Sequence, residues 1–444
     1  MQISEGSKFP SSGCRVSRGI FFVAYTRVSL FPRHARFYHR RRHRGHRGGR
    51  ARADSHFLHA GAWELAVYFV STDSSGYVAF GTSPSGPFTT RASTSFAYPA
   101  IGVLHQAVMS FDDAPAGYYK VGSAGNESAL FNVTPTLARA EKFAVLGDFG
   151  LRHDECMADL VAGAVAGDFD SVLHVGDWAY NFEDAASATG NAFMTLMEGY
   201  AATKPVMPAP GNHEACGACA GIAALPLSAG NFTEYKARLH AVSLNSNTGN
   251  NIFYSFNRGL THFVVFSAEA YLYARSEVFL ANQLAFIKSD LGGVNRTKTP
   301  WVVGLCHKDW TMEAEAFAAF SPVLEAGGVD VTFVGHVHYY NRYMPYNPMT
   351  ANIDTAAVSA DGATYTDAKW MVTIVTGAAG NHEDEKAYVK APPSYTGVEN
   401  YGYGYWQALN ATHATWDFKT VAANKGPKDW ADHLTLVQHG RGHT

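Results

Sequence analysis

Five short apolar runs in the central part of this 444-residue chain each end in a motif carrying a metal-ligand type of side chain. Phe143-Ala144-Val145-Leu146 leads into Gly147-Asp148-Phe149-Gly150, and Val172-Leu173-His174-Val175 into Gly176-Asp177-Trp178-Ala179-Tyr180. Val206–Ala209 gives way to Pro210-Gly211-Asn212-His213-Glu214, the run from Trp301 to Leu305-Cys306-His307, and the run from Val329 to Gly335-His336-Val337-His338. A strand-length apolar run bounded by turn signals reads as a buried strand. Helix periodicity predicts helices at Asp154–Ala166, where Met157, Leu160, Val161 and Ala164 share a face, and at Glu277–Asp290 and Met312–Ala326. Further strands are expected at Ile252–Phe256, His262–Ser267 and Met371–Thr376. Strands alternating with helices predict an α/β domain, with its chemistry in the loops that follow the strands.

Taken singly, each motif has a plain explanation. Gly-Asp pairs commonly make turns, and a single histidine such as His307 is more often a buried or surface residue than a ligand. As an ordered set at strand ends they point to a metal site. The two oxygens of Asp177 can join two ions, and Tyr180 beside it could bind the harder one as a phenolate. His336 and His338 are one residue apart, so on an extended backbone they would point to the same side. Glycine before the ligands lets the backbone turn tightly. Carboxylates, imidazoles, one amide carbonyl and one phenolate favour iron, zinc or manganese over copper(I).

The rest of the chain sets the frame. Residues 54–138 read as short extended segments with turns between them, a pattern that predicts a small all-β sandwich ahead of the α/β domain. Residues 1–53 hold one Lys and twelve Arg against Glu5, a charge of +12, so the remainder carries −15 of the overall −3. Such an arm could tether nucleic acid, but its lack of periodicity favours a disordered segment. Gly19–Tyr25 resembles part of a signal segment that Arg27 interrupts. Sequons at Asn126, Asn132, Asn231, Asn295 and Asn410 favour a secretory route, to an extracellular or vacuolar or lysosomal-type compartment. No run reaches the length of a membrane span. Five cysteines are too few for a disulfide scaffold, and Cys216-Gly217-Ala218-Cys219 lacks the second pair of a zinc site. The expected organisation is a basic arm at 1–53, a β-sandwich at 54–138, a catalytic domain at 139–425 and a polar tail at 426–444.

Across about residues 139–420 these motifs, with the closing Tyr401-Gly402-Tyr403-Gly404, resemble the purple acid phosphatases within the metallophosphoesterases. Two details select that family. The wider superfamily usually has a histidine where Gly150 stands, and it lacks the tyrosine that stands here as Tyr180. The resemblance implies an αββα four-layer sandwich, preceded in the large two-domain form by a fibronectin type III-like sandwich. It implies ferric iron held by Asp148, Asp177, Tyr180 and His338, and a divalent zinc, manganese or ferrous iron held by Asp177, Asn212, His307 and His336. The implied activity is hydrolysis of phosphomonoesters, with anhydrides as further substrates, in which the two cations bind phosphate oxygens and activate a water.

His213 stands beside the ligands as the candidate to bind phosphate or to give a proton to the leaving alkoxide. Large members of the family often carry further histidines soon after the position of His307, but none occurs from Lys308 to Gly335. Lys308, Asp309, Glu313 and Glu315 stand there instead, so the general acid is left open. Lys308 is read as a phosphate contact or a solvated lysine, His382 as structural or solvent-facing, and Tyr401, Tyr403 and Tyr405 as packing residues. Two other readings follow from the same residues: a phosphodiesterase or pyrophosphatase on the same metals, and a non-catalytic phosphate- or nucleic-acid-binding protein that uses the arginine arm.

Overall fold

A computed structural model describes residues 20–27, 63–98, 101–111, 114–123, 125–134, 140–215, 232–272, 276–311, 313–380, 390, 392–421 and 429–439. The fold is mixed α/β. Two seven-stranded sheets lie at its centre. The first runs in the order Val206–Pro208, Ser171–His174, Lys142–Leu146, Gly402–Ala408, His413–Thr420, Trp430–Val437, Thr364–Thr366. The second runs Tyr254–Arg258, Thr261–Val265, Trp301–Leu305, Val331–Val334, Val372–Thr376, Tyr340–Tyr343, Ser394–Val398.

Alternation along the strands fixes which face meets which layer. Phe263 and Val265 join the core between the sheets, where the Phe263 ring lies 5.0 Å from that of Phe143. Val264 points the other way, into a core shared with Leu280 and Ile287 of the helix Glu277–Gly292 and with Phe320 and Leu324 of Ala314–Ala326. On the far side of the first sheet, Leu160 of the helix Met157–Ala166 and Phe193 and Met197 of Ala188–Ala201 pack into the same large buried cluster as that sheet's strands. The layers are therefore helix, sheet, sheet, helix, as expected. The helix Ala188–Ala201 was not anticipated: Gly190 and Gly199 weaken its propensity, and burial of Phe193, Met194 and Met197 compensates.

The strand bundles that carry the motifs are parallel. Lys142–Leu146, Ser171–His174 and Val206–Pro208 run together in one sheet, and Trp301–Leu305, Val331–Val334 and Val372–Thr376 in the other. All their carboxyl ends emerge on one rim of the double sheet, which gathers the motif loops.

Ahead of this unit, Leu65, Val67 and Phe69 of the strand Trp63–Ser71, with Met109 and Phe111 of its neighbour Gly102–Phe111, face Val78, Phe80 and Tyr119 of a second antiparallel sheet. Tyr68 and Val70, on the opposite face, enter the large core instead. The Tyr68 hydroxyl donates to the Ala237 carbonyl, and the Tyr119 hydroxyl to that of Ala202 at 2.6 Å, so the sandwich is docked onto the α/β unit.

Two expectations at the chain ends are corrected. Within the arm expected to be disordered, Ile20–Arg27 pairs antiparallel with Trp63–Ser71, because its apolar run offers a strand to an exposed sheet edge. Within the expected polar tail, Trp430–Val437 is a strand of the first sheet, with Leu434 and Leu436 alternating inward among polar neighbours. The remainder of the arm, the Cys216/Cys219 motif and His382 lie outside the described residues. Cys156 and Cys306 are free and buried.

Candidate metal centre

The backbone of the motif loops is itself unusual. Asp148, Asp177, Tyr180 and His336 all adopt positive φ, at 61°, 54°, 49° and 68°. Non-glycine residues rarely occupy that region, and they do so where surrounding structure over-determines them. The neighbouring glycines serve close approach: a Cβ on Gly211 would stand 2.2 Å from Asp177 Oδ1, and one on Gly335 2.3 Å from Asp148 Oδ2. His336 also departs from the extended backbone expected of the His-x-His pair. Residues 335–339 fold as tight turns, with the Val337 amide donating to Gly335 and the Tyr339 amide to Val337.

One half of the site is built around Asp148, which is fully buried. The Tyr180 hydroxyl donates to Asp148 Oδ1 at 3.0 Å and lies 3.1 Å from His338 Nε2, which is 3.4 Å from the same carboxylate oxygen. The His336 amide donates to both Asp148 oxygens, at 3.1 and 2.9 Å. The other half is built around His307. Its Nδ1 donates to the Val175 carbonyl at 2.9 Å, which aims Nε2 at Asp177 Oδ2, 3.0 Å away, and at Asn212 Oδ1, 3.1 Å away. Asp177, His307 and His336 each offer a ligand atom within 4.8 Å of the others. All seven residues predicted as ligands thus come together on one rim.

His213 joins them. Its amide donates to Asp177 Oδ1 at 2.9 Å, and its ring lies 4.3 Å from that of Tyr180. His213 Nδ1 sits 2.5 Å from Asn181 Oδ1; an amide oxygen only accepts, so the proton is on Nδ1 and Nε2 faces the cluster, 3.8 Å from Asp177 Oδ2.

Electrostatics follow from packing acids against imidazoles in a largely buried site. Burial opposes ionisation of Asp177, but the adjoining His307 and His213 outweigh it and hold the carboxyl well below the usual range. Burial pulls His307 down, and the Asp177 carboxylate overrides it and lifts the imidazole to about 10. Such a mutually stabilised pair is what a cation replaces, since a metal takes the place of the imidazolium proton. The donor set fits a metal centre on a second count: the acceptor oxygens of Asp177 and Asn212 converge on one nitrogen, His307 Nε2.

Two buried glutamates hold these loops, and sequence reading assigned neither a role. Glu214 Oε2 accepts the amides of Asp177 at 2.9 Å and Gly211 at 2.7 Å, and Oε1 that of Trp178 at 2.8 Å, which ties the second motif to the third. Burial and the Asp177 charge push Glu214 up to about 8, against the pull of the Trp178 and Gly211 amides. Glu269 accepts the Lys308 amide at 2.8 Å and the Ser267 hydroxyl at 2.8 Å, bracing the loop of His307. The presence of Glu in Gly211-Asn212-His213-Glu214 was a signal; nothing near Glu269 marked it. Under the same loops His174 stacks on Trp178 with centroids 3.7 Å apart, and burial drives its imidazole well below the usual range, so it is neutral.

The alternatives offered after His307 do not line up as acids. Lys308 is buried, with Nζ donating to Glu313 at 2.8 Å, rather than solvated. Asp309 is buried beneath Tyr343, whose hydroxyl donates to it at 2.6 Å.

Comparison with known proteins agrees with this geometry. Residues 141–340 match the calcineurin-like phosphoesterase family, and residues 371–426 match the iron/zinc purple acid phosphatase-like protein C family. Acid phosphatase type 7 of Mus musculus is 30% identical over 372 residues, spanning 76% of this chain and 80% of that protein. The chain belongs to the purple acid phosphatase family. Purple acid phosphatase 18 of Arabidopsis thaliana is 28% identical over 81% of this chain and 79% of its own. The structure of a purple acid phosphatase from yellow lupin seeds superposes with a TM-score of 0.66, at 17% identity, covering 84% of this chain and 72% of that one, and shows the same fold. As a member of this family the protein is a metallophosphoesterase-type phosphatase. Among the described residues, no helix is long and apolar enough to cross a membrane.

Proposed function

We propose that this purple acid phosphatase hydrolyses phosphomonoesters, with anhydrides as further substrates, at a dinuclear Fe(III)–M(II) centre working in acid. Asp148, Tyr180 and His338, with Asp177, would hold the ferric ion. Asp177, Asn212, His307 and His336 would hold zinc, manganese or ferrous iron. The observation that carries the reading is the Tyr180 hydroxyl, buried between Asp148 Oδ1 and His338 Nε2 at 3.0 and 3.1 Å, a phenol where hard anionic donors meet. Bound there, the pair of ions supplies charge neutralisation for phosphate oxygens and acidifies a water enough for attack below neutrality.

The chain's own groups do the rest. Asp177 spans the two donor sets. Asn181 accepts from His213 Nδ1–H, so that in the imidazolium form Nε2 holds the second proton, the one given to the leaving alkoxide. Glu214 and Glu269 keep the loops in register. A secretory route is part of the proposal: Asn126, Asn132, Asn295 and Asn410 are all exposed, as glycosylation requires.

Metal analysis with a visible spectrum of the purified protein tests the reading. One iron, one second metal and a phenolate-to-iron band support it; a colourless, iron-free, active enzyme overturns it. Paired assays on mono- and diesters separate it from phosphodiesterase action, and maximal turnover well above neutrality would exclude the acidic optimum.

A further inference from the structure

Away from the metal rim, the two seven-stranded sheets part at their ends and leave a cleft of about 550 Å³ between the strand Ser394–Val398 and the strands His413–Thr420 and Trp430–Val437. That volume is within the ~300–1,000 Å³ of small-ligand sites. We propose that this cleft binds a neutral pyranose sugar, a function separate from phosphate-ester hydrolysis.

The floor is rigid. Arg342 donates through Nε to Asp432 Oδ2 at 2.6 Å and through Nη2 to Oδ1 at 2.8 Å, while Nη1 is taken by the Tyr365 hydroxyl at 2.6 Å. Arg342 is buried and Asp432 half-buried, and Tyr340 adds a further hydrogen bond to Asp432. The walls are aromatic. Trp430 is 58% exposed, although Trp is among the costliest side chains to leave in water. On the facing strand, the Tyr395 ring is held over the Arg342 guanidinium at 4.8 Å, and its hydroxyl is anchored on the Asp361 carbonyl at 2.7 Å.

The polar rim decides the class of ligand. Asp417 pairs with His433 Nδ1, Asp432 with Arg342, and Asp361 accepts the Ser359 hydroxyl at 2.6 Å and the Ala363 amide at 3.0 Å. Each carboxylate is thus already engaged and oriented, with lone pairs to spare for hydroxyl donors. A flat exposed indole beside oriented acceptors and a paired charge suits a ligand with one apolar C–H face and an edge of hydroxyls. A bare cation would find Asp432 neutralised by Arg342 and Asp417 already hydrogen-bonded to His433. An anion would meet three carboxylates.

The test is saturation-transfer NMR on the metal-loaded full chain with methyl α-glucopyranoside, maltose and diacetylchitobiose in the millimolar range. At least one should receive saturation on its ring C–H protons. Trp430→Ala should weaken that binding at least tenfold and Trp430→Phe should retain part of it, with phosphatase activity unchanged in both. Silence from all three sugars, or a signal that survives Trp430→Ala, overturns the proposal. So does Trp430-dependent binding of an oligolysine peptide in their place. The readout is independent of catalysis, so a failed phosphatase assay would leave it standing.

Discussion

The Tyr180 half of the site and the His307 half are closed to different degrees. Asp148, Tyr180 and His338 are no more than 4% exposed, and their polar atoms meet one another directly. The other half ends in Asn212, a neutral amide, and in His336, which is partly open to solvent. A buried carboxylate–phenol pair suits an ion that is hard, highly charged and retained. An amide and an accessible imidazole suit one that is softer and exchanges. Asp177 is the residue proposed to join the two halves.

That comparison orders the expected damage. Asp177→Asn should be the most severe: it removes the charge shared by both halves, and kcat/KM on a phosphomonoester should fall by about 10³-fold or more, roughly 4 kcal/mol of lost transition-state stabilisation. Metal analysis should show both ions depleted; retention of both would contradict the bridging role. Next come two selective substitutions. Tyr180→Phe should abolish the visible band, whereas His336→Ala should keep the band and lose the divalent metal. If His336→Ala bleached the protein while Tyr180→Phe did not, the assignment of the halves would be reversed.

Glu214→Gln should follow. An amide nitrogen in place of one oxygen cannot accept the Asp177, Gly211 or Trp178 amides, so a loop hydrogen bond is lost and a donor is turned against a donor. Loss of such an outer partner costs about 10–100-fold in metal affinity or activity. Because Glu214 holds Asp177 itself, both metals should weaken together in a chelator titration. Weakening of one alone would show that Glu214 braces a single half.

Much of this was legible in the sequence for a physical reason. Ligands at the ends of buried strands leave two signals together, an apolar run and a chemically active residue after it, and Asp148, Asp177, Asn212, His307 and His338 carry both. Strand positions followed from the same runs, Trp301–Leu305 being placed as found, while the double sheet came from the family resemblance. What escaped was set by tertiary contacts. The turn at His336 is held by Asp148, 188 residues away, so local spacing read it as extended. The strand Trp430–Val437 has polar and charged residues at alternate positions and looked like a tail, because half of it faces solvent. Lys308 reads as a solvated cation in any local window, and only Glu313 and the buried loop around it show otherwise.

The smallest effect should come from Glu269→Gln, which sharpens the comparison because Glu269 braces one half alone. Its Oε1 accepts the Lys308 amide, directly after His307, and its Oε2 accepts the Ser267 hydroxyl. The hydroxyl can turn to suit an amide, and a retained oxygen can still accept from Lys308, so what is lost is the charge assistance of these bonds, about 1 kcal/mol, a change of ~5-fold. The expected result is a several-fold faster loss of the divalent metal to a chelator, with the visible band of the Tyr180 half unchanged in position. A shift of that band in Glu269→Gln would mean that the two halves are mechanically one, and that the division drawn from their burial does not extend to how they hold metal.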